Sequence, residues 1–383
     1  MALNSYRLGE LITHRREKKP ENEELPIRGV SKDGFIPPKQ IDANTDIYNV
    51  FYKKDFVYNP ARMELGSIAF NSDLDKGICS SLYEMFFVHR TDICLPEYLA
   101  LFVSQDEFAR YCNFLSSGSA REYCRFANIS QIKISLPSIE EQRKIVHDYK
   151  VITDRIELLK DENKQLIKIL IGTYTEMFSQ FEPLMKDISL PNGWQKGAAD
   201  NFYDITIGKT PPREEIDCFS YDDTDIKWVS IADMKNATPF IEDTTEKLTK
   251  EAVEKHNVKM VQENSILLSF KMTVGRVAIA SRSLTTNEAI AHFPCDINNL
   301  AYTYCMLHEY NYEKLGSTSS ITTAINSKII KSMPIIIPDK ETLSRFNSLA
   351  NPVFKLIDVN GKESCILNKI KQCLIASLSK EVA

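Results

Sequence analysis

The residues able to do chemistry come only in partial sets. Gly208-Lys209-Thr210 has the end of a phosphate-binding loop, which wraps backbone N–H groups around a phosphate and runs into a helix. Tyr203 stands where that loop needs its first glycine, and Pro211-Pro212 stand where its helix begins. Prolines supply no N–H donors, so a turn ahead of a strand is expected instead. Asn59-Pro60-Ala61-Arg62 has the Asn-Pro start of an amino-methyltransferase motif. It lacks the aromatic ring that stacks on a flipped base, and no Gly-rich cofactor loop precedes it. The six histidines show no HExxH or other metal spacing. The nine cysteines form no CxxC pair, and the 13 glycines contain no dinucleotide fingerprint. The expectation is no catalytic residue, no metal and no cofactor bound by this chain.

What remains are side chains that could bind rather than react. Arg62 and Gly66 lie in RMELGSIAF (62–70), and Lys271, Gly275 and Arg276 lie in KMTVGRVAI (271–279). Each glycine interrupts an apolar alternation beside a base. One reading is a tight bend where a sheet tolerates no Cβ. The other is a bend that lets backbone and basic side chains reach DNA phosphate. Ser119 and Arg121 in SSGSAREYCR (116–125), and Ser319 and Thr322 in STSSITTAINSK (317–328), could touch base edges or phosphates. Equally, both runs suit plain solvated loops. Charge limits the DNA reading. The net charge is −5, with 17 Lys+Arg against 18 Asp+Glu in residues 1–138 and 16 against 20 in 186–338. A DNA contact therefore needs a local basic strip, or partners that bind much of the phosphate.

The elements that would position these groups are legible from period and length. A chain of 383 residues exceeds one ordinary core, so two domains are expected. No apolar run is long enough to span a membrane, the N-terminal segment has no secretory core, and scattered cysteines suit a reducing cytoplasm. After Pro137, Ser138 and Glu141 form an S-x-x-E capping box. From there Ile145, Tyr149, Ile152, Ile156, Leu159, Asn163, Leu166, Leu170, Thr173 and Met177 recur at spacings of four and three, before Pro183. Such a stripe is a coiled-coil seam, and Asn163 within it would set register. A second helix is expected after Pro338-Asp339, with a weaker stripe of Phe346, Leu349, Val353, Leu356, Leu367, Ile370 and Leu374. Asn360-Gly361 reads as a kink or break in it. Long amphipathic helices either pack on their own domains or pair. Their position between domains, and a length beyond what either half needs, favour pairing.

The landmarks recur. Pro137 answers Pro338 at an offset of 201, RMELGSIAF answers KMTVGRVAI at 209, and YLALFV (98–103) answers YTYCML (302–307) at 204. The chain is a degenerate tandem repeat of domain, long helix, domain, long helix. It resembles, over its whole length, the specificity subunit of type I DNA restriction-modification systems. LPSIEEQRKIV (136–146) is similar to the family's entry into its first spacer helix, and GSAREYCRFANISQIKISLPS (118–138) to the end of a first recognition domain. PNGWQ (191–195), IGKTPPRE (207–214), KWVSIADM (227–234) and SFKMTVGRVAIA (269–280) resemble the opening and central strands of a second. The departures are Leu343 in the place of Gln142, and Pro352 and Gly361 within the last helix, which allow a shorter or bent second helix.

The resemblance implies an α/β (α+β) fold. Two tandem target-recognition domains, 1–138 and 183–338, would alternate with two antiparallel coiled-coil spacer helices, 139–182 and 339–383, giving a pseudo-twofold repeat. It further implies a non-catalytic subunit whose domains each read half of an asymmetric bipartite site on double-stranded DNA. Two methyltransferase subunits would bring S-adenosylmethionine, and two ATP-dependent endonuclease-translocase subunits, with ATP and Mg2+, could join. The rival class is a duplicated scaffold that docks other proteins rather than DNA. A self-contained methyltransferase is disfavoured by the missing cofactor motifs.

Overall fold

The computed structural model describes residues 3–38, 44–116, 123–184, 189–236, 238–315 and 325–379. They divide into two compact units, Met1–Asp154 with Asn368–Ala383, and Arg155–Leu367.

In the first unit a four-stranded antiparallel sheet runs Ile12–Arg15, Glu84–Val88, Phe56–Tyr58, Ile68–Phe70. Successive side chains on a strand point to opposite faces, and here both faces are covered. Phe56, Tyr58, Ile68 and Phe86 enter one core with Tyr98, Leu99 and Phe102 of the helix Pro96–Val103. Val57, Ala69 and Met85 enter another with Val30 and Phe51. In the second unit the strands Thr206–Ile207, Ile290–Phe293, Ile266–Ser269 and Val277–Ala280 repeat that order, and Phe240–Ile241 adds a parallel fifth strand. Ile266, Leu268, Ile279 and Phe293 face the helix Ile297–His308, while Leu267, Ala278 and Ile290 face the opposite core. Both units also close alike. The strand Asn4–Arg7 pairs with Lys133–Leu136, and Gln195–Ala198 pairs with Pro334–Ile337, each antiparallel. The duplication seen in the sequence is therefore a duplication of topology.

Each closing strand leads within a few residues into a 40-residue helix, Ile139–Phe178 and Lys340–Ser379. The Ser138–Glu141 capping box forms in both directions, at 3.2 Å from Ser138 N to Glu141 Oε2 and 3.3 Å from Glu141 N to Ser138 Oγ. Gln142 is fully buried. It donates to the carbonyls of Ile93 and Pro137 at 2.8 and 3.0 Å and accepts from Leu95 N at 2.9 Å. At the second helix Asp339 accepts from Glu341 N and Thr342 N, both at 2.9 Å, and from the Trp194 indole at 2.8 Å. Trp194 thus takes over the tethering that Leu343, which is buried but apolar, cannot provide.

The helices run antiparallel within each unit. In the second, Arg155 makes a bidentate ion pair with Glu363 at 2.7 and 2.8 Å, Asn163 Oδ1 accepts from Asn360 Nδ2 at 3.0 Å, and the Phe178 ring stands 5.4 Å from Phe346. In the first, the Lys371 ammonium lies 5.6 Å from the Tyr149 ring centroid. Numbers rise along one helix as they fall along the other.

Three expectations are corrected. The first helix ends at Phe178, before Pro183. The second continues through Pro352 and Asn360-Gly361. Pro352 lies on the exposed face, where the hydrogen bond a proline cannot make is least costly. Gly361 is buried, and a Cβ there would stand 3.3 Å from Thr238 Oγ1, so glycine answers a close approach rather than a break. Third, the second helix buries the expected face only in part. Leu343, Phe346, Ala350, Phe354 and Ile357 are covered, Val353 and Leu367 are half-buried, and Leu349, Leu356 and Ile370 are exposed. Following the leucines shifted the seam by one position, because Ala350 and Asn360 do not look like seam residues. On the first helix Ile156, Leu159, Asn163 and Leu170 are buried, with Ile145, Ile152 and Leu166 half-buried.

Asn163 and Asn360 are 2% and 3% exposed, so removing one amide strands the other. Asn163→Ala or Asn360→Ala should each lower the stability of the second unit by about 1–3 kcal/mol. The pair Asn163→Leu with Asn360→Leu should cost less than the sum of the single changes, as read by a urea-denaturation double-mutant cycle. A second expectation concerns His292 on the inner strand Ile290–Phe293, which lies 2.7 Å from Thr286 Oγ1 and 2.8 Å from Thr206 Oγ1. Burial lowers its pKa to about 4. A folded-state pKa below the unfolded one favours the neutral form. Its stabilising contribution is therefore whole above about pH 6.5 and is lost as pH falls towards about 4. Thermal midpoints measured across that window should drop, and less so in His292→Gln.

Candidate nucleic-acid interface

The repeated basic–glycine motif occupies matching places in the two units. Gly66 ends the 3-10 helix Pro60–Leu65 with φ 68° and leads into the strand Ile68–Phe70. Gly275, φ 88°, leads in the same way into Val277–Ala280. Both glycines adopt the left-handed conformation that side chains disfavour, and a Cβ at Gly275 would also press on the Tyr312 ring at 3.1 Å. The bases beside them differ. Arg62 and Lys271 are exposed. Arg276 is half-buried and donates through Nη1 to the Ile231 carbonyl at 2.7 Å, so its guanidinium braces the turn. Ser119, Arg121, Ser319 and Thr322 lie outside the described residues.

The segment from residue 123 is anchored firmly. Cys124 N donates to the Pro60 carbonyl at 2.9 Å. Glu84 accepts from Phe126 N at 2.6 Å, Tyr58 Oη at 2.9 Å and Arg125 Nη1 at 3.1 Å. Burial and the Glu84 carboxylate together push the Tyr58 hydroxyl well above its usual pKa, keeping it a donor. Reading the sequence missed Glu84, since nothing in a strand pattern marks a residue 41 positions away as an anchor. In the second unit Arg213 packs on the rings of Phe219 and Trp228, at 4.3 and 4.8 Å, and grips Glu246 at 2.9 Å.

The other chemical candidates resolve structurally. Gly208-Lys209-Thr210 follows the short strand Thr206–Ile207, and the next elements are the 3-10 turn Ile216–Cys218 and the strand Phe219–Ser220, not a helix. Gly208 N and Lys209 N donate to the carbonyls of Ile290 and Thr286, at 3.1 and 2.9 Å, so these N–H groups cannot cradle a phosphate. A Cβ on Gly208 would stand 2.1 Å from the Asn287 carbonyl oxygen. Among the described residues, Glu215, Cys218 and His256 bring ligand-type atoms within 4.8 Å, a cluster that spacing alone did not reveal. Glu215 Oε2 already accepts from Lys255 Nζ at 2.7 Å and from the Cys218 thiol at 3.4 Å, and lies 3.0 Å from His256 Nε2. Lys255 first, then His256, lowers the Glu215 pKa to about 2. The cluster ties the turn Ile216–Cys218 to the end of the helix Lys250–Lys255.

Two units of one topology, each carrying the same left-handed turn, are what a duplicated recognition domain requires. The sequence profile of the type I restriction modification DNA specificity domain matches residues 4–168 and again 191–352. The chain belongs to this family. Specificity subunits are the non-catalytic components of type I systems, and catalysis lies in their partners. The chain is 23% identical to the type I restriction enzyme HindI specificity subunit of Haemophilus influenzae, over 85% of this chain and 86% of that one. It is 24% identical to the MjaIX specificity subunit of Methanocaldococcus jannaschii, over 75% and 69%. The fold is shared with the type I restriction-modification S subunit from M. genitalium, with TM-score 0.54, 14% identity and 98% and 96% coverage.

Within this specificity-domain fold, Arg276 and Lys271 should separate by experiment. Arg276→Ala strands the Ile231 carbonyl and should cost about 1–3 kcal/mol of stability. Lys271→Ala should change stability by less than about 0.5 kcal/mol. Thermal unfolding of both variants checks the division.

Proposed function

We propose that this chain is the DNA-reading subunit of a type I restriction-modification complex. Each recognition domain contacts one half of an asymmetric bipartite site, and the chain directs methyltransferase and endonuclease partners to it. The observation that carries the reading is the repeated unit: one strand order, one closure, one left-handed basic turn and one exit into a 40-residue helix, each present twice. A reader written twice suits a site in two parts. Loops at the ends of the strands would touch base edges, where sequence is legible. The near-neutral and acidic halves suit a subunit whose partners supply much of the phosphate binding.

The helices offer those partners a surface. Leu158 and Ile169 on the first, and Leu349, Leu356, Val359 and Ile366 on the second, are 40–63% exposed. On each helix they recur at spacings that keep them on one side, away from the face buried within the unit. Apolar stripes of this kind fit the helices of a methyltransferase subunit. S-adenosylmethionine would sit on that partner, and ATP and Mg2+ on the translocating nuclease. No helix of the described residues is long and apolar enough to cross a membrane, which is compatible with action on DNA in the cytoplasm.

Co-expression with the methyltransferase partner, followed by mapping of methylated adenines across a genome, should return a two-part motif. Replacing residues 183–338 by the matching domain of a relative should change one half of that motif and leave the other. A swap that rewrites both halves, or a single continuous motif, would refute the two-reader arrangement.

A further inference from the structure

We infer that Met272 is a DNA-contacting residue of the second recognition domain, entering a groove of the duplex as an apolar tip while Lys271 meets the adjacent phosphate. The inference rests on the function proposed above and deepens it. Met272 is 97% exposed, with φ 57°. A methionine left in water forgoes the stabilisation of burial, and a left-handed φ is uncommon for any residue but glycine.

The exposure does not come from a loose loop. At its neck, Ser269 N donates to the Arg276 carbonyl at 2.9 Å, and Gly275 N donates to the Ser269 carbonyl at 3.0 Å. Ser269 Oγ donates to the Thr273 carbonyl at 2.6 Å and accepts from Arg276 N at 3.0 Å. The Arg276 guanidinium fastens the turn to Ile231. The fold thus holds the methionine out.

The duplicate supplies the contrast. Met63, which aligns with Met272 in the repeated motif, is 1% exposed in the core of the first unit. The motif has a buried solution, and the second unit does not use it.

Charge identifies the occupant. The second domain is acidic as a whole, yet residues 264–287 contain Lys271, Arg276 and Arg282 and no Asp or Glu. Two carboxylates flank that stretch, Glu263 and Glu288; Glu288 accepts from the Thr210 hydroxyl and lies close enough to Lys271 for the two charges to interact. An apolar tip beside the exposed Lys271, in a run of chain without carboxylates, matches a polyanion whose grooves present apolar base surfaces. Methionine is among the side chains that enter such grooves and wedge base steps.

The test uses the chain assembled with its methyltransferase partner, a duplex carrying the motif mapped for the wild type, and a scrambled duplex. Met272→Ala should weaken binding to the motif by about tenfold or more, from the lost burial of the side chain. It should blur preference within one half-site only, while partner assembly, thermal midpoint and scrambled-duplex affinity stay unchanged. Met272→Leu should restore most of the loss. Unaltered motif affinity in Met272→Ala would overturn the inference. A loss that tracks loss of the partner from the complex would overturn it too, by making the tip a protein contact. A wild-type complex without any site preference would instead overturn the proposed function on which it rests.

Discussion

The register of the two long helices depends on one buried amide pair. Asn360 Nδ2 donates to Asn163 Oδ1 at 3.0 Å, and both residues are buried. An unpartnered amide in that place carries the full desolvation cost. Sliding either helix by a turn would separate the two amides and leave both buried and unsatisfied. Leucine pairs would hold the seam at least as tightly but would tolerate several offsets, so polarity here is traded against stability for a single alignment. The Arg155–Glu363 pair reinforces the same alignment, but it is partly exposed, and exposed pairs contribute little.

Around that seam the two units keep a common plan and differ in how they fasten it. Both pair their first and last strands in a separate two-stranded ladder, and both send the last strand into a capped helix. In the first unit, buried Gln142 ties the opening turn of the helix to the loop at residues 93–95. In the second, the tie is an indole–carboxylate bond from Trp194 to the capping Asp339. The chemistry changed while the constraint did not, because a helix start that must hold its place against a sheet needs its polar groups satisfied. Basic residues divide in the same spirit. Arg276, Arg213 and Arg125 are committed to a carbonyl, to aromatic faces and a carboxylate, and to Glu84. Arg62 and Lys271 lie exposed on the matching turns.

Much of this architecture was legible in the chain itself. The capping box at Ser138, the seam from Ile145 to Met177, the recurrence at an offset near 200 residues and the glycine repeated within an apolar alternation beside a base are local or periodic signals. Local signals survive folding because they depend on backbone stereochemistry and on which face of an element is apolar. The absence of phosphate-loop, methyltransferase and metal motifs likewise narrowed the chemistry to binding.

What only the tertiary structure decided were the matters set by partners far away in sequence. The second helix runs through Pro352 and Gly361 because Gly361 faces Thr238 and Pro352 faces outward. Its buried face follows Ala350 and Phe354 rather than Leu349 and Leu356, with Phe354 packed on the rings of Phe240 and Tyr304. Met63 and Met272 hold the same place in the same motif, yet one is buried in the core and the other stands free in solvent. No local rule distinguishes them, because burial is a property of what packs against a residue and not of the residue itself.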